Sequence, residues 1–311
     1  DPAPEAAAPP SRDDPRLTRL ARSHVRAGTT DLAPSMLAVP LSYYRDPALC
    51  ERDMQVLRAT PLAAAASGQL PDPHDYVVRE LLGTSVLMSR DGAGTVRAFL
   101  NYCRHRGASP ASGCGTVRRF TCPYHAWVYD SAGRLVGMPG ARGFDGLDRS
   151  ESGLVELPCE ERHGLVWVSL TAGGRLDLDG HLGPLGAELE TWQLDRYRPF
   201  AARRFDSEVN WKAALEAFAE SYHCPYVHCS SIIGQNTVPD VAVHHAFGRP
   251  AVQRGLRDSG RVARIRRTSQ QEANRQALRP QLAGRLYIFG DTLIPQQTRR
   301  QHHTGGLALP H

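Results

Sequence analysis

The chain has 311 residues, of which 41% are hydrophobic and 22% are charged, and this composition predicts a globular protein long enough for two domains. It contains no apolar run near the roughly 18 residues of a membrane-spanning helix. The net charge is +5, carried almost entirely by arginine, because Lys212 is the only lysine. No aromatic and basic RNA-binding motif accompanies those arginines. The composition therefore argues against a membrane protein and against a nucleic-acid-binding protein.

Cysteine usage and the first residues bear on the cellular compartment. There are seven cysteines, an odd number that fits free thiols or metal ligands better than a disulfide framework. The first residues have no basic start followed by an apolar core, so they do not resemble a signal peptide. We therefore expect a cytoplasmic protein in a reducing compartment.

Three segments are expected along the chain. Residues 1–36 form a disordered N-terminal segment, rich in Pro and Ala at its start, with one helix within 17–36. Residues 37–170 form a first domain and residues 171–311 a second. The Gly- and Pro-containing stretch at 171–200 marks the junction.

Short strands fill the region from about residue 75 to 170. Seven segments rich in Val, Leu, Tyr and Trp are predicted as strands: DYVVREL, TSVLMSR, VRAFLNYC, RRFTCPY, AWVYD, GRLVGM and GLVWVSL. Turn sequences such as DGAG and DSAG separate them. Many short strands at this spacing predict an antiparallel sandwich or a small barrel.

Residues 101–130 carry the most informative pattern, Cys103-x-His105 followed after sixteen residues by Cys122-x-x-His125. A 2Fe–2S cluster of the Rieske type is held by two cysteine thiolates on one iron and two histidine imidazoles on the other. One cysteine and one histidine on each of two loops suit that arrangement, and we expect both loops at hairpin tips. A zinc-binding structural protein is the alternative, although zinc modules usually pair cysteine with cysteine and histidine with histidine.

The sequences around these residues, NYCRHRG and CPYHAWVYD, resemble the two cluster loops of the Rieske non-heme iron oxygenases, the aromatic-ring-hydroxylating dioxygenase alpha-subunit family. The resemblance implies that Cys103, His105, Cys122 and His125 bind a Rieske 2Fe–2S cluster. It also implies an α+β fold. An antiparallel Rieske domain would precede, or be inserted in, a helix-grip catalytic domain in which an antiparallel sheet grips a long helix.

A helix is predicted within residues 207–228, SEVNWKAALEAFAESYHCPYVH. Four apolar residues recur at helical spacing and form one stripe: Trp211, Leu215, Phe218 and Tyr222. Four polar residues fall on roughly the opposite face: Lys212, Glu216, Glu220 and His223. The pattern predicts an amphipathic helix with one apolar and one polar face.

Pro225 interrupts this helix, because proline lacks a backbone donor and disfavours helical geometry at the preceding residue. His223 and His228 are five residues apart, about 140° on a regular helix, so a break is needed for the two imidazoles to converge. Two histidines and one carboxylate, with open positions, are the ligands of mononuclear ferrous iron. A solvated polar helix face is the alternative.

The order NWK, then E-x-Y-H, then a second histidine resembles the iron-binding helix of the same oxygenase family. The resemblance implies that His223 and His228 bind mononuclear Fe(II). It implies that Glu220 is the carboxylate that links the iron site to a cluster histidine of the neighbouring subunit. Glutamate at this position resembles the choline, betaine and carnitine branch.

The third iron ligand of the family is an acid far downstream of the second histidine. Four acids follow His228, and none has a recognisable ligand context: Asp240, Asp258, Glu272 and Asp291, the last being the best of the four. Residues 251–311 carry eleven arginines and RLYIFGDTLI as the only strand-like run. We therefore expect a partial catalytic domain, from a truncated or frame-shifted product or a divergent member.

The resemblance implies the oxygenase component of a multi-protein system. NAD(P)H is used indirectly, through a flavin and iron–sulfur reductase or a ferredoxin. Electrons pass from the cluster to the mononuclear iron across a subunit boundary in a homotrimer, and dioxygen is used to hydroxylate a small aromatic or quaternary-amine substrate. Two alternatives are a truncated homologue that binds the cluster but does not oxygenate, and the zinc-binding structural protein.

Overall fold

Antiparallel strands dominate the computed structural model of this protein between residues 62 and 168. The structure describes residues 15–33, 35–200, 208–219, 223–228, 230, 237–246, 251–257, 282–287 and 293–296. The first eleven strands are β1 Leu62–Ala66, β2 Asp75–Leu81, β3 Thr84–Arg90, β4 Val96–Leu100, β5 Cys114–Thr116, β6 Arg119–Thr121, β7 Val128–Asp130, β8 Leu135–Gly137, β9 Glu156–Leu157, β10 Cys159–Arg162 and β11 Leu165–Val168. Each of the seven predicted segments contains one of them, so those predictions are confirmed.

These strands form three antiparallel sheets. The largest has the order β5-β2-β3-β4-β9, and two three-stranded sheets have the orders β1-β11-β10 and β6-β7-β8. Strands β3 and β4 are buried on both faces, since successive side chains of a strand point to opposite sides. Met88 and Ala98 pack towards β1 and β11, whereas Leu87 and Phe99 pack towards β6 and β7. The large sheet thus forms the middle of two hydrophobic clusters.

Aspartates close two of the tight turns between these strands. Asp91 accepts hydrogen bonds from the backbone N–H of Ala93 and Thr95, at 2.9 and 3.0 Å. Asp130 accepts from Ala132 and Arg134, at 3.0 and 2.9 Å. Aspartate favours turns because its side chain satisfies donors two residues further on, which explains why DGAG and DSAG predicted the turns correctly.

One expectation about the cluster loops is wrong. The second loop lies between β6 and β7, which pair directly and form a hairpin. The first loop connects β4 to β5, and these strands lie three places apart in the large sheet. The physical reason is that β5 pairs with β2, so the chain crosses the end of the sheet instead of turning back beside β4.

Seven helices precede or follow the eleven strands in the described part of the sequence. They are α1 Pro15–Ala27, α2 Ser42–Arg45, α3 Pro47–Ala59, α4 Leu178–Leu182, α5 Leu185–Trp192, α6 Trp211–Ala219 and α7 Cys224–Val227. The first lies where one helix was predicted within 17–36. A third hydrophobic cluster joins α4 and α5 to β11 through Trp167, Leu182 and Leu189. Among the described residues, none of these helices is long and apolar enough to cross a bilayer.

A four-stranded antiparallel meander follows α7. Its strands are β12 Thr237–Ala246, β13 Ala251–Arg257, β14 Leu282–Tyr287 and β15 Leu293–Gln296, in the order β12-β13-β14-β15. The expectation that RLYIFGDTLI is the only strand-like run after residue 250 is therefore wrong. Strand β13 pairs with a neighbour on each edge, and backbone hydrogen bonds of this kind do not require the apolar alternation that the sequence reading sought.

Candidate metal centres

The two predicted cluster loops have the same backbone hydrogen bonds. In the first, Cys103 O accepts from Gly107 N at 2.9 Å and Cys103 N donates to Ala108 O at 2.9 Å. In the second, Cys122 O accepts from Ala126 N at 3.0 Å and Cys122 N donates to Trp127 O at 2.8 Å. Each cysteine therefore begins a loop closed by the fourth and fifth residues after it, although the histidine is the second residue on in one loop and the third in the other.

The fourth residue of each loop has a left-handed backbone. Gly107 has φ of 77° and Ala126 has φ of 53°. Glycine adopts this conformation without steric cost, whereas an L-residue with a Cβ atom adopts it at a cost of about 1–2 kcal/mol. The second loop therefore holds backbone strain that the first does not.

The four predicted cluster ligands face one another in an uneven environment. Cys103 and Cys122 are buried, at 4% and 3% exposed, and belong to the hydrophobic cluster beneath the loops. The rings of His105 and His125 lie 4.5 Å apart between centroids. His105 is the inner histidine: it stacks on Trp127 at 5.1 Å and meets the edge of Phe144 at 5.7 Å.

His125 is the outer histidine. It is exposed, and its ring lies 3.9 Å from that of Tyr124, which is itself 59% exposed. One imidazole is thus enclosed by aromatic rings and the other reaches the protein surface. Of the two histidines, His125 is therefore the more accessible to a partner protein.

The donor atoms suit a metal centre. Nδ1 of His105 is buried and has no hydrogen-bond partner among the described residues, and a buried polar atom of this kind is costly unless something satisfies it. Burial lowers the pKa of His105, and the nearby His125 and Arg106 lower it further. The neutral imidazole is the form that binds a metal, so these residues fit a Rieske cluster.

Tyr129 contacts a proposed cluster ligand, and the sequence analysis did not predict this contact. Its hydroxyl lies 3.2 Å from Cys103 Sγ and accepts a hydrogen bond from the Arg104 backbone N–H at 3.0 Å. A thiolate ligand has no proton to donate, so the Tyr129 hydroxyl would be the donor when Cys103 binds a cluster. Burial raises the pKa of Tyr129, and the hydrogen bond to Cys103 raises it further. One signal in the sequence was available. The alternation of apolar residues in AWVYD places Tyr129 on the buried side of the strand, and a buried Tyr hydroxyl needs a hydrogen-bond partner.

Asn101 closes the first loop across its base. This residue is 1% exposed, and its Nδ2 donates to Ala111 O at 2.9 Å and to Ser85 Oγ at 3.0 Å. Its Oδ1 accepts from Ala111 N at 3.3 Å. One side chain therefore joins the residue before the loop, the residue after it and strand β3.

The second predicted site lies after α6. His223 and His228 approach to 5.2 Å between ring centroids, with an interplanar angle of 69°. Pro225 is the second residue of the short helix α7, where a missing N–H breaks no helical bond. Helix α6 ends at Ala219, before His223, and the separate short helix α7 fills the space between the two histidines in the sequence. The two imidazoles therefore do not belong to one continuous helix, on which they would point about 140° apart.

The carboxylates proposed for this site are not among the described side chains. Glu220, Asp258, Glu272 and Asp291 lie outside the described residues, and Asp240 lies in β12, where only the backbone is described. Within the described part, no three His, Cys, Asp or Glu side chains meet in a group that would hold a single ion. The described side chains thus bring together two of the expected iron ligands, His223 and His228.

One residue on the polar face of α6 is buried. Lys212, which the amphipathic pattern placed on the side opposite the apolar stripe, is 5% exposed. Its Nζ pairs with Asp53 at 2.5 Å and donates to Tyr43 O at 3.0 Å. A buried lysine requires such partners, and they come from helices more than 150 residues earlier in the chain, which no local periodicity reveals.

Comparison with known families covers both candidate centres. A model of the Rieske [2Fe-2S] domain matches residues 60–152, so the fold and the first donor set define a Rieske iron–sulfur protein rather than a zinc module. A model of the ring hydroxylating alpha subunit (catalytic domain) matches residues 194–295. The chain belongs to the Rieske oxygenase family, with a Rieske domain followed by catalytic-domain sequence. These two domains imply a Rieske cluster and a mononuclear iron.

The curated relatives include enzymes of quaternary ammonium metabolism. Chloroplastic choline monooxygenase of Spinacia oleracea is 34% identical over 197 residues, which are 61% of this chain and 44% of that protein. The carnitine monooxygenase oxygenase subunit of Escherichia coli is 30% identical over 194 residues, 61% of this chain and 52% of that protein. The chain spans about half the length of the curated relatives it matches.

Solved structures agree at the level of the fold. A quaternary ammonium Rieske monooxygenase matches with a TM-score of 0.70 at 22% identity, over 82% of this chain and 67% of that one. Naphthalene 1,2-dioxygenase from Rhodococcus sp. matches with a TM-score of 0.69 at 23% identity, over 90% of this chain and 69% of that one. The predicted α+β class, with an antiparallel Rieske domain and a catalytic domain, is confirmed.

Proposed function

We propose that this chain acts in the oxygenase component of a Rieske monooxygenase that hydroxylates a quaternary ammonium compound. The observation that carries the proposal is the approach of His223 and His228 in a chain that already holds a separate Cys2His2 donor set. When bound, a 2Fe–2S cluster supplies single electrons and ferrous iron activates dioxygen. A chain with both donor sets has a source and a destination for electrons.

The roles proposed for the first centre follow from burial. Cys103 and Cys122 hold one iron in an apolar environment, and His105 and His125 hold the other. Trp127 and Phe144 fix the His105 ring and exclude water from it. His125 is exposed, so it is the ligand that a reductase, a ferredoxin or another subunit contacts.

For the second centre we propose His223 and His228 as iron ligands and Glu220 as the carboxylate that connects them to the cluster of a neighbouring subunit in a homotrimer. A related quaternary ammonium Rieske monooxygenase has been described with inter-subunit electron transfer. The proposed domains are residues 37–170 and 171–311, in a cytoplasmic protein.

The substrate class rests on the relatives. Choline, carnitine and glycine betaine monooxygenases all match this chain, and each of these substrates carries a trimethylammonium group. An aromatic substrate is the competitor, because naphthalene 1,2-dioxygenase shares the fold.

A second candidate function is electron transfer by the cluster alone. It is favoured by one observation: all four donors proposed for the cluster lie among the described side chains, with the two cysteines buried and the two histidine rings 4.5 Å apart. A chain of this kind would accept electrons from a reductase and would not hydroxylate.

Turnover separates these functions. The purified chain is given a reductase, NADH and choline, carnitine, glycine betaine or naphthalene, and hydroxylated product is measured. We expect product from a trimethylammonium substrate and none from the His223→Ala variant, whose cluster absorption should match wild type. Product from naphthalene alone would overturn the substrate class. Reduction of the cluster with no product from any of the four would favour the electron-transfer protein.

A further inference from the structure

The N-terminal half of α6 is attached to the rest of the protein by polar contacts with α2 and α3. Asn210, just before the helix, accepts from Lys212 N at 2.9 Å and donates to Tyr44 O at 2.7 Å. One turn later, Glu216 accepts a hydrogen bond from the Tyr44 hydroxyl at 2.6 Å. Helix α2 therefore contacts this segment just before the first residue of α6 and again at its middle, and α3 contacts it through Asp53.

Lys212 is the centre of this attachment. Its ammonium group pairs with Asp53 at 2.5 Å, donates to Tyr43 O at 3.0 Å and lies 4.0 Å from the centre of the Tyr43 ring. Apart from this ion pair, Asp53 Oδ2 has no hydrogen-bond partner among the described residues. Each charge is therefore balanced mainly by the other, and loss of either one leaves a charge that is partly or wholly withdrawn from water.

Among the described residues, hydrophobic packing does not provide an equivalent constraint on α6. None of the described α6 side chains belongs to the three buried hydrophobic clusters, and Lys212 is the only buried residue among them. A helix of nine residues is marginal without tertiary contacts. Of its described contacts, the polar ones with Tyr43, Tyr44 and Asp53 are therefore those that constrain its position.

The position of α6 decides where the two histidines lie. His223 follows the last residue of α6, Ala219, by four positions. A metal site depends on residues that fix its ligands, and their loss typically weakens metal binding by about 10- to 100-fold.

We propose that Lys212 and Asp53 are positioning residues for the mononuclear iron site, and that the ion pair between them holds the iron-binding helix in the geometry that Fe(II) requires. The inference rests on the proposed function, because it takes His223 and His228 as the iron ligands. It assigns a role to the segment of α2 and α3, which lies outside both residue ranges that the family models match.

Fe(II) affinity tests this proposal. The full chain with its cluster assembled is freed of loosely bound iron and titrated anaerobically with Fe(II) by equilibrium dialysis. Lys212→Met and Asp53→Asn should each raise the Fe(II) dissociation constant about tenfold. The Fe(II) dissociation constant of the double variant should not exceed the larger of the two single-variant values, since both substitutions remove the same ion pair. Cluster absorption should stay at the wild-type value in all three.

The matched control is Arg90→Met. Arg90 forms a similarly buried ion pair with Glu161 at 2.8 Å, and its side chain is 14% exposed. Its described side-chain partners all lie within the proposed first domain, residues 37–170: they are Leu70, Gly94 and Glu161. This variant should lower the unfolding temperature and leave the Fe(II) dissociation constant unchanged, which separates positioning from general stability.

The outcomes distinguish the inference from the proposed function. Wild-type affinity in both Lys212→Met and Asp53→Asn, with weak binding in His223→Ala, would overturn the positioning role alone. Equal Fe(II) binding by wild type and His223→Ala would overturn the iron site and the inference with it. If Lys212→Met does not fold, Asp53→Asn alone carries the comparison with Arg90→Met, because it removes the same ion pair.

Discussion

The two candidate metal centres of this chain are supported in different ways. The cluster ligands stand on loops whose bases lie in a hydrophobic cluster that includes Phe99, Phe120 and Trp127. The iron ligands follow a nine-residue helix that is held by an ion pair and hydrogen bonds. Apolar packing fixes many atoms at once and tolerates the loss of one contact, whereas a polar attachment depends on few groups. The first centre should therefore be the more robust, and the second the more easily adjusted.

Removal of Trp127 should produce the largest effect on the first centre. Its side chain is 3% exposed and stacks on His105, and truncation of such a residue costs about 3–5 kcal/mol. Trp127→Ala should lower the free energy of unfolding by this amount and reduce cluster occupancy, as measured by urea denaturation and visible absorption. Trp127→Phe should retain most of both. A cluster unaffected by Trp127→Ala would contradict the role of apolar packing.

Asn101→Ala should have the next largest effect, because it removes three hydrogen bonds that close the first loop. Leaving the buried backbone groups of Ala111 unsatisfied costs about 2 kcal/mol. Ser85→Ala removes only one of these bonds and should cost about 1 kcal/mol. Urea denaturation of the protein with its cluster bound measures both costs. Equal costs for the two variants would show that loop closure does not depend on Asn101.

Tyr129→Phe should change the electronic properties of the first centre rather than its stability. The hydroxyl lies 3.2 Å from Cys103 Sγ, and its hydrogen bond to a bound Cys103 thiolate would favour the more electron-rich, reduced state of the cluster. Its loss should lower the reduction potential by roughly 60 mV, equivalent to a tenfold change in a one-electron equilibrium. Potentiometric titration measures the shift. Tyr76→Phe is the control, because the Tyr76 hydroxyl donates to Ser112 O, away from both cysteines.

The smallest expected changes in the free energy of unfolding come from two substitutions that compare the backbone of the two cluster loops. Ala126→Gly relieves the left-handed strain and should raise the free energy of unfolding by about 0.5 kcal/mol, since the added chain entropy offsets part of the gain. Gly107→Ala introduces the same strain and should lower it by about 1 kcal/mol. No atom lies within 4 Å of a Cβ added at Gly107, so only the backbone contributes. Shifts of the same sign would contradict the equivalence of the loops.

The sequence predicted the parts of both centres that depend on local chemistry. The spacing of Cys103, His105, Cys122 and His125 indicated the residues proposed for the first centre, and Pro225 indicated that one regular helix does not carry both His223 and His228. The aspartate turns and the alternating strands also followed from local rules.

Features that depend on distant residues were missed. The burial of Lys212 requires Asp53 and Tyr43 from another part of the chain. The first cluster loop is not a hairpin because β5 pairs with β2, a choice that the strand sequences do not encode. Strand β13 was missed because its two neighbours, not an apolar pattern, supply its hydrogen bonds.

The central claim is that this chain holds two separate metal centres. Iron and acid-labile sulfide analysis of the anaerobically reconstituted protein, for wild type and for the double variant His223→Ala and His228→Ala, tests it most directly. The account predicts about three irons and two sulfides per chain for wild type. It predicts about two irons and two sulfides for the variant, with an identical cluster spectrum. Loss of sulfide together with the iron, or equal iron in both proteins, would contradict it.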